Sequence, residues 1–391
     1  MTQRIAIRLG DAAPESVVAG GPAGAVAARM PDILLAAEPG WLRPGGPFPA
    51  RGLLLRLRAG EEDDATLRAA CGTLALGGAL DIEALLPVEA EPGPALEALA
   101  LRLARAGLFP RHVVALPEGF LKGRQPAAAR PEGPGPEDCA AAAQAAFPEA
   151  RIGLALLADA AEPNRPGAGE VGHYVTHGSS AIAHAADDAS VLESLEALPQ
   201  VFADARAIAG GRGLRLGLVS IGMRSNPYGA GLRPNPQGVR RTMTDRDPRQ
   251  DGLMAAAYAV AACAAAARAG AEAVALAAPD GPFGLLDRDG RARPILQAVA
   301  ALNAAAERVV HVDPVPGLHG LSWEEGAILA NATLDPATVP APFPTGAILG
   351  PATIEAARDP AWLSGAAGPL PDRVTLGPCE VLLAGSAAGG A

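Results

Sequence analysis

A (β/α)8 TIM barrel followed by a small antiparallel β domain is the fold class this sequence predicts, and three observations carry the prediction. Short aliphatic runs alternate with Ala/Leu/Glu/Arg stretches of helical spacing, the mark of βα units on a parallel sheet. The units are numerous enough to close a barrel of about 250 residues. Beyond residue 310 the helical periodicity stops, and short strand patterns separated by Pro and Gly turns take over.

In chain order the strand patterns are RIAIRL (4–9), DILLA (32–36), GLLLRL (52–57), LDIEALL (80–86), HVVAL (112–116), IGLALLA (152–158), HYVTHG (173–178), LRLGLVSIG (214–222) and AEAVALAA (271–278). Helical stretches fall at 64–78, 94–106, 137–146, 189–209, 250–269 and 294–307. The strand patterns exceed the eight that a barrel uses, so one of the first three is expected outside it. A doubly wound open sheet is the alternative, but no GxGxxG opens a helix after the first strand. The expected division is a barrel over 1–310 and a β domain over 311–391, ending in VTLGPCEVLLAG.

Composition narrows the function. Apolar residues make up 49% of the 391 and aromatics only 3%, so the core is aliphatic and Ala-rich. A net charge of −10 argues against a nucleic-acid groove or an anionic membrane surface as partner. Cys71, Cys139, Cys263 and Cys379 lie far apart without a CxxC, as reduced thiols do. The opening MTQRIAIRLG runs straight into a strand pattern without a signal peptide, which predicts a cytoplasmic chain. GLMAAAYAVAACAAAARAGAEAVALAA is interrupted by Arg268 and Glu272 and reads as a buried helix and strand, not a membrane span. Lys122 is the one lysine; between Gly119 and Gly123 it reads as a solvated loop residue.

Barrel enzymes work at the C-terminal ends of their strands, so the loops there supply the candidates. PEGFLKG carries Glu118, an acid/base candidate. DAAEPNRPG carries Glu162, Asn164 and Arg165, with Glu162 as the partner carboxylate for Glu118. SSAIAHAADDASVLESL carries His184, Asp187 and Asp188; either aspartate can instead cap the following helix. The long segment from Met223 to Gly252 carries Arg224, Asn226, Asp247 and Arg249, and Asp247 before Pro248 can also be a cap. Arginines among carboxylates and a histidine point to an anionic or polyhydroxylated ligand, a small carbohydrate or sugar acid. His173 and His177 share a strand face, but no third ligand stands at a known spacing, so no metal or other cofactor is expected.

Four of these stretches resemble the D-apionate lactonase family: AEPNRP (161–166), AHAADDASVLESLEALPQVFADARAI (183–208), RSNPYGAG (224–231) and DPRQDGLMAAAYAVAACAAAARAGAEAV (247–274). The resemblance implies a glycosidase-like TIM barrel with a C-terminal β domain, acting as a hydrolase on a sugar-acid lactone. Matched residue by residue, it implies site roles for Glu162, Asn164, Arg165, His184, Asp187, Arg224, Asn226 and Asp247 with Arg249. His184 or Glu162 would act as base, with Asp187 orienting His184 and Arg224 and Asn226 steadying the oxyanion. Members usually carry a further N-terminal β domain, whereas this chain is expected to begin at the barrel. Members also end the last barrel strand in a Tyr-Glu-Thr-Thr-Gly-Trp type sequence. Here VALAAPDGPFGLL puts Ala277 or Ala278 at that glutamate, with Asp280 beyond. That departure makes a catalytically silent sugar-acid-binding barrel the alternative.

Overall fold

The computed structural model describes residues 26–75, 77–122, 133–155, 172–227, 229–312 and 317–389. Strand β1 (Val26–Arg29) comes first. The barrel follows: β2 (Asp32–Ala37), β3 (Gly52–Arg58), β4 (Ala79–Leu86), β5 (His112–Pro117), β6 (Arg151–Ala155), β7 (Tyr174–Ser180), β8 (Gly213–Ser220) and β9 (Ala273–Ala277). Neighbours pair in parallel, and β9 returns to β2 to close the ring. These are the strand patterns from 32–36 onward; the pattern at 4–9 lies outside the described residues.

The outer layer holds α1 (Asp64–Leu74), α2 (Pro92–Arg105), α3 (Pro136–Ala146), α4 (Asp188–Ala209), α5 (Leu253–Arg268) and α6 (Pro294–Ala304). Helix α1 stops short of residue 78, and Gly77, at φ +97°, turns the chain out of helical space. Helix α5 starts at Leu253, because Pro248–Asp251 forms a separate 3-10 turn capped by Asp247.

Strand alternation sorts the core into two layers. On β4, Leu80, Ile82, Ala84 and Leu86 join the large cluster between strands and helices. Asp81, Glu83 and Leu85 face the barrel axis instead. Near the N-terminal end of the barrel, Asp81 accepts hydrogen bonds from His112 Nδ1 at 2.9 Å and Arg215 Nη2 at 2.6 Å. Burial alone would raise this carboxyl; His112 and Arg215 outweigh burial and hold it below its usual range.

The chain's end builds β10 (Val309–Val312), β11 (Leu318–Trp323), β12 (Gly326–Asn331), β13 (Ala337–Pro340), β14 (Thr345–Leu349), β15 (Gly368–Pro369), β16 (Arg373–Leu376) and β17 (Val381–Gly385). One antiparallel sheet runs β1-β10-β11-β12-β17-β14-β15, and β13 pairs with β16 apart from it. Strand β1 precedes the barrel in sequence yet pairs with β10, Val26 opposite Val312. Helix α5 touches both the barrel strands and this sheet, so it is buried all round. That double burial is why its sequence reads apolar on every face. Among the described residues no helix is long and apolar enough to cross a membrane.

Candidate active site

The C-terminal mouth of the barrel is held by a chain of charges on the axis-facing positions. Glu83 on β4 is fully buried. Its Oε2 accepts from Arg56 Nε at 2.9 Å and from Arg224 Nη1 at 2.8 Å. Arg56 stands on β3, and Arg224 just past β8. Arg224 also donates through Nε to Glu38 Oε1 at 3.0 Å and through Nη2 to the Ala37 carbonyl at 2.9 Å. Burial would lift the Glu83 carboxyl, but Arg56 and Arg224 more than cancel that and keep it ionised below the ordinary range. Burial and the nearby Arg56 charge lower Arg224, and Glu83 and Glu38 offset part of this.

Two other walls complete the mouth. Ser179 and Ser180 end β7, and Ser220 ends β8; they line the same cleft as Arg56, Glu83 and Arg224. An apolar wall joins Leu218, Ala278 and Phe283 to Trp41. Trp41 meets Phe283 edge-on at 5.2 Å between ring centroids, and the Arg224 guanidinium lies 5.7 Å from its ring centroid. Gly281, at φ +81°, lets the indole close in: a Cβ there would sit 2.5 Å from Trp41.

Of the residues singled out from sequence, Arg224 belongs to this centre, and the other described ones are dispersed around it. Glu162, Asn164 and Arg165 lie outside the described residues. Glu118 follows β5, and both its oxygens are taken by Arg58, at 2.6 Å (Nε–Oε1) and 2.7 Å (Nη2–Oε2). Lys122 is exposed in its loop, as expected, and is also bonded. Its ammonium donates to the carbonyls of Asn226 (3.0 Å) and Gly229 (2.6 Å), tying the loop after β5 to the loop after β8. Asn226 is buried and pins its own turn, accepting from Gly229 N at 3.0 Å and donating to the Gly231 carbonyl at 2.8 Å.

His184 is exposed in the loop after β7. Asp187 is the N-cap of α4: Oδ1 accepts from Ser190 N at 2.9 Å and Oδ2 from Ser190 Oγ at 2.7 Å. Those two bonds lower its carboxyl. Asp188 pairs with Arg240 at 3.0 Å and with Arg249 at 3.4 Å. Asp247 and Arg249 form a buried two-point ion pair at 2.7 and 2.8 Å. Arg249 spends its remaining nitrogen contacts on Asp188 and on the carbonyls of Ala186 and Asp187. The pair is a strut beneath the α4 N-terminus, with no donor left over for a ligand.

His173 Nδ1 accepts from Ile152 N, and His177 is buried against Phe202 on the helix side of the wall. Among the described residues no group of three His, Cys, Asp or Glu side chains is placed to hold a metal ion. At the end of the last strand, the β2–β9 register shifts between Leu34 and Leu35. Ala277 consequently packs toward the helices and Ala278 toward the axis. Asp280 lies beyond, paired with Arg43 at 2.8 Å.

Glu38, Trp41, Arg56 and Glu83 were not among the sequence candidates. A signal for two of them was present. LDIEALL and GLLLRLR place charges at axis-facing parity inside strands that are otherwise aliphatic, and a buried charge in such a strand needs a partner.

Known proteins agree with this architecture. The fold is similar to a GH30 endoxylanase from Clostridium papyrosolvens C71, with TM-score 0.53, 10% identity, and coverage of 93% of this chain and 98% of that one. It is also similar to a GH39 β-xylosidase from Caulobacter crescentus, with TM-score 0.51, 16% identity, and coverage of 92% and 97%. At such identities the likeness shows the TIM-barrel fold. In sequence the chain is 37% identical over 234 residues to a D-apionate lactonase of Brucella anthropi. That match covers 58% of this chain and 38% of the relative, so the chain spans well under half of the relative's length. The family model for the D-apionate lactonase TIM barrel domain matches residues 48–307. With the barrel closed, the mouth polar and this model spanning most of the chain, the protein belongs to the D-apionate lactonase family.

Proposed function

We propose that the chain hydrolyses the lactone of a small sugar acid at the barrel mouth. The observation that carries this reading is the state of Glu38. Its Oε1 is fixed by Arg224, while no described residue donates to its Oε2, and its side chain is about one-third exposed at the rim (33%). Positioned and still reachable, it is, among the described residues, the mouth carboxylate suited to take a proton from water. Glu83 is buried and doubly paired, and Glu118 is clamped at both oxygens.

In the proposed reaction water adds to the lactone carbonyl and Glu38 takes its proton. The carbonyl oxygen becomes an oxyanion facing Arg56. Collapse of the tetrahedral species breaks the bond to the ring oxygen, which recovers the proton from Glu38. One lactone and one water become one hydroxy acid. Trp41 offers an apolar face to the ring, and Ser179 and Ser180 offer hydroxyls. The alternative of a silent binding barrel rests on Ala278 alone, whereas the mouth keeps a carboxylate beside an arginine.

The experiment is hydrolysis of a panel of four- to six-carbon aldonolactones, D-apionolactone included, followed by proton release. Turnover of at least one above the uncatalysed rate is expected. No turnover of any would overturn the reading.

A further inference from the structure

Among the described residues, Arg56 is the one mouth cation whose terminal nitrogens are uncommitted. Its side chain is nine-tenths buried (10% exposed) and anchored through Nε alone, on Glu83. No described residue accepts from Nη1 or Nη2, and neither nitrogen is sealed from solvent. Arg224, by contrast, spends Nε, Nη1 and Nη2 on Glu38, Glu83 and Ala37. Arg58 and Arg43 are committed to Glu118 and Asp280.

A guanidinium held rigid by one edge presents its other edge as a two-pronged donor, the shape that matches a carboxylate. Orienting such a fork ordinarily costs side-chain entropy on binding; here Glu83 has already fixed it. The Arg56 charge is only partly balanced, since Glu83 serves Arg224 as well. Ser179 and Ser180 line the same cleft and can reach sugar hydroxyls.

We propose that Arg56 is a carboxylate receptor, and that the mouth binds open-chain sugar acids through it in preference to neutral sugars and polyols. This deepens the lactonase reading and rests on the same cleft, since the ring-opened product is such an acid. The product then remains as a competitive ligand, and a reaction that consumes the free carboxylate has to follow for flux to continue.

The test is calorimetric titration of the full chain with four- to six-carbon aldonates, D-apionate included, each beside its alditol. At least one aldonate is expected to bind about tenfold or more tighter than its alditol, since charge-assisted bonds of this kind are worth that much. Its affinity should fall as salt is added. Arg56→Lys keeps the charge and loses the fork, and Arg56→Gln loses the charge; both should lower that affinity by about tenfold or more. The melting temperature of each variant shows whether it is folded. Equal binding of acid and alditol, no binding of any aldonate, or wild-type affinity in a folded Arg56→Lys would overturn the proposal. The two readings separate cleanly. Arg56-dependent aldonate binding without lactone turnover removes the hydrolase and keeps the receptor. Turnover without carboxylate preference does the reverse.

Discussion

Arg224 reaches across the barrel mouth to donate to Glu83 Oε2 at 2.8 Å, the oxygen that Arg56 also engages. The two ion-paired residues stand 141 positions apart in the chain and are both nearly inaccessible to solvent. Arg224→Met leaves Glu83 paired with Arg56 alone and the Ala37 carbonyl without its donor. The substitution is therefore expected to destabilise the fold by about 1–3 kcal/mol. Urea unfolding measures it, and an unchanged midpoint would show that Arg56 alone satisfies Glu83.

Glu38 and Glu118 make opposite predictions. Glu38→Gln should lower kcat for lactone opening by about 10²–10⁴ while the fold persists, as loss of a general base does. Glu118→Gln should change kcat far less, because Arg58 already occupies both carboxylate oxygens. Proton-release kinetics on the two variants decide between them; the reverse order of effects would move the base to Glu118.

Arg249 and Asp247 are expected to matter for the fold before the chemistry. Arg249→Ala leaves Asp247 buried without its partner and frees the carbonyls of Ala186 and Asp187. A loss of about 3–5 kcal/mol follows from the unpaired charge. Hydrogen exchange should rise at the α4 N-terminus, and unaltered exchange there would refute the strut.

His177 gives the fold a pH dependence. Burial lowers its affinity for a proton, only partly offset by its bond to the Gly178 carbonyl, and Nε2 has no partner. The unfolded chain thus binds the proton more readily than the folded one. Its contribution to stability is complete above the unfolded value of 6.5 and is lost as pH falls below it. His319, lowered mainly by burial, acts with the same sign. Between pH 7 and 5.5 stability should fall with a slope approaching about 1.4 kcal/mol per unit for each such group. In His177→Leu part of that slope should vanish; an identical slope would assign it elsewhere.

Ala278 faces the axis amid Phe283 and Leu218 and has no exposed surface. Restoring a carboxylate there by Ala278→Glu is expected to destabilise the fold by roughly 3 kcal/mol or more, because a longer, charged side chain would have to enter a fully buried apolar contact. Hydrolysis should not rise. A faster, equally stable variant would mean that Trp41 and Phe283 yield to let the new side chain reach the mouth.

The sequence by itself determined the barrel and much of its periphery. Aliphatic runs in alternation with helical spacing mark all eight barrel strands among nine patterns, leaving open which of the first three stands outside, and the loss of that spacing marks where the later antiparallel strands begin. It also narrowed the N-cap of α4 to Asp187 or Asp188, since capping is local chemistry. What it could not settle is which polar residues meet. Period-two alternation shows that Arg56 and Glu83 share the axis face, but not which layer of the barrel they occupy or that Arg224 arrives beside them. Those facts depend on strand register and barrel closure, which bring β3, β4 and the loop after β8 together across long stretches of chain. The same closure turned Arg249 and Asp247 inward as a strut, because the carbonyls beneath α4 lie within reach only in the folded barrel. Tertiary structure likewise decided that β1, a short and largely exposed strand before the barrel, pairs with β10 after it. Four residues carry too little pattern to announce a partner that far away.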